Sequence, residues 1–286
     1  MHSTMQRWVR AAELVSLVMV VFGVTLPLLF ATPLLAPLVQ GPVATSDSLE
    51  LILGITGGSI AGQWAAQWAI LRFALRRGLR WARHASVAGL AAWLGIDVVA
   101  SVITGALSPL AIIDLVALVV LGGLLALAWR AADGEPAKPE EAALRGPARL
   151  VLAASVMGVG SGLMIAFAGD TRVFELWWQG LGAAHYAGEP VPHDVRAAML
   201  AFFGRIGGAT AGQLVILAWM AKQAIARGER WAIGASLASV LAWFMVDSAY
   251  SLAANGAFNV VMVNVPTLGL TLPPLAWAAL RLARSR

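Results

Sequence analysis

Cysteine is absent from the 286 residues, which excludes disulfides, thiolate nucleophiles and thiolate-held metals or clusters. Histidine is almost as scarce. The four copies, His2, His84, His185 and His193, all fall at the ends of apolar runs or between them, whereas a haem gripped between two membrane helices takes buried axial ligands. No Ser-His-Asp order and no H-E-x-x-H is present. The glycine string around Gly54 to Gly62 lacks the Lys-Ser/Thr ending and the preceding strand of a phosphate loop. His185, His193 and Asp194 lie near one another in the chain, but their spacing matches no established metal motif, and an ordinary hydrated loop is the simpler reading. No catalytic residue, cofactor or metal is therefore expected.

Charge is the third scarcity, at 12% of residues against about 25% in a soluble domain. Hydrophobic residues make up 59%, arranged in runs near the roughly 20 residues needed to cross the hydrocarbon of a bilayer. These runs predict eight spans, at approximately 11–31, 50–71, 84–106, 109–129, 149–169, 198–221, 232–254 and 258–280. The expected fold class is an all-α polytopic membrane protein. Arg7 and Arg10 ahead of the first run also fit a signal peptide, but the internal repeat described next needs that run as a helix.

Two pairs of segments repeat without a gap. "LGITGGSIAGQW" (53–64) matches "FGRIGGATAGQL" (203–214), and "GLRWARHASVAGLAAWLGID" (78–97) matches "GERWAIGASLASVLAWFMVD" (228–247), both at an offset of 150. The pattern predicts a duplication, with two tandem parallel four-helix repeats at 1–130 and 149–286 joined by a Pro-, Gly- and charge-rich linker at 131–148. The formal charge of +5 is not spread evenly. Arg72, Arg76, Arg77, Arg80 and Arg83 cluster at one helix junction, Lys222, Arg227 and Arg230 at its match, and Arg281, Arg284 and Arg286 end the chain. With the positive-inside rule this places both termini in the cytoplasm. It makes the bilayer, rather than nucleic acid, the partner of the basic clusters.

The order of a Gly-rich helix, a basic Arg-Trp turn, a Trp followed four residues later by Asp, and an Asn-bearing last helix resembles a family of small, uncharacterised bacterial inner-membrane proteins with one four-helix unit. The chain looks like two such units fused. The resemblance implies an inner-membrane, multi-pass protein and carries no known activity.

Several polar residues sit inside the expected spans. Asp97 and Asp247 share a helix face with Trp93 and Ser101, and with Trp243 and Ser251, at a spacing of four. Helical rise puts Asp97 about 21 Å from Arg83, and Asp114 about 22 Å from Trp129, so these acids are expected at similar depth. The repeat then pairs Asp97 with Asp114 and Asp247 with Asn264. Such sites suit a proton, a cation or a ligand amine, or else an interhelical hydrogen bond. Gln63 and Gln213 follow the small-residue pairs Gly58/Gly62 and Gly208/Gly212, which together with Trp93 and Trp243 are expected at close helix packing. Arg205 breaks the repeat, standing where the first half has Ile55. It is expected to snorkel outward, to pair with Asp170, Glu175 or Asp194, or to face a cavity.

Three functions fit, in this order. The first is a non-catalytic accessory or scaffold subunit, with the repeated acids as bundle anchors and a membrane-protein partner or a second copy of the chain as its neighbour. The second is a proton- or cation-coupled carrier with a site between the repeats. The third is an enzyme acting on a lipid or isoprenoid-like substrate.

Overall fold

The computed structural model describes residues 2–30, 46–104, 109–128, 134–136 and 139–284, without the side chains of 2–5, 46, 109–114, 117 and 128. Nine helices fill these residues: α1 His2–Phe30, α2 Ser46–Phe73, α3 Arg80–Thr104, α4 Pro109–Ala128, α5 Ala142–Ala168, the short α6 Glu175–His185, α7 His193–Gln223, α8 Arg230–Ala253 and α9 Ala257–Arg284. Six of the eight expected spans meet the length and hydropathy of a membrane crossing, namely Gln6–Phe30, Arg80–Thr104, Ala142–Ala168, His193–Arg227, Arg230–Ala253 and Ala257–Arg284. The chain is a multi-pass membrane protein.

The span expected at 50–71 falls in α2, which is long enough at 28 residues but is not among the six. Its composition explains why. Thr56, Ser59, Gln63 and Gln67 are all fully or almost fully buried along it, interspersed with glycines. A helix enclosed by other helices does not need a lipid-facing surface. The same holds for α7, whose apolar window is 78% buried inside the protein, against 17–44% for the other five. The span expected at 109–129 lies in α4, where Leu118–Leu127 is the apolar stretch among residues with described side chains.

α2 and α7 thus form the centre, and the helices around them are interleaved. α3 packs mainly on α7 and α8 mainly on α2, whereas α3 barely touches α2 and α8 barely touches α7. α1 lies along α2, and α5 along α7. Small residues make these crossings possible, since the backbones approach closer than any side chain permits. A Cβ on Gly58 would sit 2.8 Å from the amide nitrogen of Asp247, and one on Gly208 would sit 2.5 Å from the carbonyl oxygen of Trp93. On α1 and α5, Gly23 stands to Gly57 as Gly162 stands to Gly207, each pair in backbone contact.

One end of the bundle carries the basic turns. After α2 and α7 the chain makes a single 3-10 turn and ends it on Gly78 (φ 74°) or Gly228 (φ 73°), left-handed positions that suit glycine. The next helices start with Trp81 and Trp231, whose rings stack at 6.3 Å. Residues of the linker are tied to both turns: Gly134 exchanges backbone bonds with Gly78 and Arg80, and the amide of Glu141 donates to Ala226. Buried Glu13 of α1 accepts a forked pair from Arg76, with Nη2 to Oε2 at 2.5 Å. Arg77 reaches Glu229 across the halves at 3.1 Å.

Candidate functional site

The two repeated acids lie at matched crossings but in different company. Asp97 on α3 is 2% exposed and meets Arg205 of α7, itself 3% exposed, with Nη2 to Oδ2 at 3.4 Å. Arg205 therefore points inward. It neither snorkels nor takes a loop acid, and Asp170 pairs instead with Arg196 at 2.6 Å. Oδ1 of Asp97 has no hydrogen-bond partner among the described residues. The expected pairing of Asp97 with Asp114 lies outside them, because the Asp114 side chain is not described.

Asp247 on α8, 1% exposed, has neutral partners. Its Oδ1 accepts from Asn264 Nδ2 at 2.8 Å, Asn259 Nδ2 at 2.9 Å and Ser251 Oγ at 3.0 Å. All three bonds fall on one oxygen, leaving Oδ2 without a donor among the described residues. The two amides come from α9, where Val260–Asn264 forms a π-helical turn. On a regular α-helix Asn259 and Asn264 would point about 140° apart. The wider turn swings them onto one side, and π turns recur at functional sites. Trp177 of α6 orients the arrangement from above, its Nε1 donating to Asn259 Oδ1 at 3.1 Å.

Beside this network lies a cavity of about 50 Å³. Ile55 and Ser59 of α2, Ser161 of α5, Thr210 of α7, and Trp243 and Asp247 of α8 face it, with Trp177 and Phe174 at the α6 end and Val263 and Thr267 of α9 opposite α5. Asp247 is the one ionisable group on the described wall.

The glutamines meet at the α2–α7 crossing. A Cβ on Gly62 would touch the Gln213 amide at 2.9 Å, and one on Gly212 the Gln63 amide at 3.0 Å. Gln213 donates to Ser239 Oγ at 2.8 Å, and Ser239 donates to the carbonyl of Gly62 at 2.8 Å. At the matching place in the first half stands Gly89, which has no hydroxyl. Both amide atoms of buried Gln63 are without a partner among the described residues. Trp93 is fully buried, edge-on to Trp64 at 5.5 Å, and Trp243 covers Gly62 with its Cβ.

His185 is held by Ser48 Oγ at 2.6 Å and by the carbonyl of Ala254 at 2.8 Å, and Asp194 bonds the amide of Val195 at 3.0 Å. No group of three His, Asp or Glu converges among the described residues. Sequence reasoning singled out Asn264 but passed over Asn259 and Ser239, and it gave Trp177 to the outer membrane interface, whereas Trp177 is buried against Asn259. Periodicity gives no signal for a π turn, and Ser239 differs from its match Gly89 by a hydroxymethyl side chain whose use depends on which helix lies opposite. No known family model, curated protein or solved structure matches this chain.

Proposed function

We propose that the chain is a non-catalytic integral membrane protein, a scaffold or accessory subunit, whose intramembrane acids act as interhelical anchors. In this reading it is a duplicated form of the four-helix bacterial inner-membrane family it resembles, with both termini in the cytoplasm and a membrane protein or a second copy as its partner. The observation that carries it is that both acids are engaged from another helix of the same chain, Asp97 by Arg205 and Asp247 by Asn259 and Asn264. Polar contacts of this kind are common links between membrane helices.

The test is a flux assay in liposomes loaded with a pH-sensitive dye. The wild-type protein is expected to pass no more protons or alkali cations than protein-free liposomes, while Asp97→Asn and Asp247→Asn alter melting alone. A wild-type flux that vanishes in well-folded Asp247→Asn would replace this reading with the second, a proton- or cation-coupled carrier. That second reading is favoured by one observation, the cavity at Asp247.

A further inference from the structure

We propose that the cavity beside Asp247 is a binding site for a small ammonium cation, the charged nitrogen resting against Oδ2 of Asp247 and any alkyl tail passing out between α5 and α9. The matched site shows what completes such a carboxylate. At Asp97 the chain supplies its own cation, and the guanidinium of Arg205 reaches Oδ2. In the repeat register the residue matching Arg205 is Ile55, and Ile55 is on the wall of the cavity. The space lies where a second arginine would have met Asp247. A ligand cation takes the part that Arg205 plays in the other half.

The chemistry of the wall selects the class of cation. Oδ1 already accepts three bonds, and a carboxylate has about four acceptor positions shared over two oxygens, so Oδ2 is the oxygen left for a donor. Thr210 and Ser59, whose hydroxyl donates to the Ile55 carbonyl, line the same space. Calcium takes 6–8 oxygens and magnesium a near-octahedral shell that keeps several waters, whereas this wall has one carboxylate in a mostly apolar lining. Trp177, Phe174 and Trp243 share the rest of the wall with aliphatic Ile165, Ile206 and Leu214, an apolar and partly aromatic surround of the kind that takes ammonium ligands. An anion meets only the charge of Asp247.

Size narrows it further. A water-sized probe occupies roughly 10–15 Å³, so about 50 Å³ holds an ammonium or methylammonium head and falls far short of the roughly 300–1,000 Å³ of a drug-sized pocket. The half-exposed residues Ser161 and Ile165 on α5 and Val263 and Thr267 on α9 line the cavity on its outward side. Both helices are rich in exposed apolar side chains, such as Met164 and Phe167 on α5 and Val261 and Val265 on α9. A short alkyl tail therefore has an apolar exit.

The inference does not require transport, so it stands or falls separately from the flux assay. The experiment is equilibrium dialysis of radiolabelled methylammonium against the purified full-length protein in detergent, with n-butylammonium and n-butanol as competitors. Saturable binding at one site per chain is expected, displaced by butylammonium and not by the neutral alcohol. Asp247→Asn is expected to weaken binding by roughly tenfold or more, the scale of one desolvated charge contact. Ile55→Arg, which supplies the cation from the chain, is expected to abolish binding while melting no lower than wild type. Ser161→Leu obstructs the outward side without touching the donors to Asp247, and it gives the same loss if either of the others is too unstable to assay. Absence of saturable binding to folded wild type overturns the proposal, as does equal displacement by butanol or unchanged affinity in the folded variants.

Discussion

Asp97 and Asp247 occupy matched places on helices that cross the centre of the bundle in the same way, yet one is neutralised by an arginine and the other is embraced by amides and a hydroxyl. Two differences set them apart: Arg205 stands on α7 where α2 has Ile55, and the π turn of α9 brings Asn259 and Asn264 onto Asp247. Around Asp97 the burial of charge is offset within the chain. Around Asp247 it is met by dipoles on one oxygen, and a cavity adjoins the carboxylate. The comparison teaches that the packing frame of the two regions is shared, while the polar chemistry mounted on it is local and replaceable.

The frame should be the most sensitive to substitution. Gly208→Leu and Gly58→Leu push a side chain into the backbones of α3 and α8, and both are expected to lose monodisperse folded protein on size-exclusion chromatography. A wild-type elution profile for either would show that the two crossings are not equivalent in solution. Next in size is Arg205→Met. It strands buried Asp97 without its cation and is expected to cost about 3–5 kcal/mol in denaturant unfolding, the usual penalty for breaking a buried pair. The matched change at Ile55 to Met is expected to stay within about 1.5 kcal/mol, since it swaps one apolar side chain for another of similar volume. Equal losses at the two positions would erase the contrast between the sites.

Asp247→Asn is milder. The amide oxygen still accepts from Asn259, Asn264 and Ser251, so the loss is that of charge assistance, about 1–2 kcal/mol; a loss as large as that of Arg205→Met contradicts the neutral description of this site. Ser239→Ala removes the hydroxyl between Gln213 and Gly62 and leaves Gln213 as Gln63 already is. A cost of about 1–3 kcal/mol is expected, and no measurable change would mean that Gln213 finds another partner. The smallest structural effect is expected from single cysteines at Pro139 and Glu189, both exposed and neither in a left-handed backbone position. In this cysteine-free chain only the second should react with an impermeant thiol reagent in intact cells, and reaction at Pro139 instead would reverse the proposed orientation.

Much of the frame was legible in the sequence because its signals are local or repeated. The apolar runs marked the helices, and the glycine spacing marked the crossings at Gly58 and Gly208. Asp247 with Asn264 followed from matching one half against the other. What was not legible depends on which helix lies opposite. The exchange of α3 and α8 between the central helices is invisible to periodicity, because helices that are apolar on nearly every side have no distinct polar face. Without that exchange Arg205 has no reason to meet Asp97, and the nearby loop acids look like its natural partners. Asn259 was hidden for a different reason, since its spacing of five from Asn264 brings the two together only through a π turn. α2 adds a third case: the run at 50–71 does form a long helix, but its enclosure by the other helices, marked by buried Thr56, Ser59, Gln63 and Gln67, had to await the structure.

The ion pair of Asp97 and Arg205 joins α3 to α7 at the heart of the bundle. The direct test is a double-mutant cycle in denaturant unfolding, with Asp97→Leu, Arg205→Met and the two combined. Each single change is expected to destabilise strongly. The double variant should regain about 2–3 kcal/mol of the summed loss, because removing both charges leaves neither buried alone. Losses that add to within about 0.5 kcal/mol would show that Asp97 and Arg205 do not interact, and would contradict the interlocked arrangement of the two halves at this crossing.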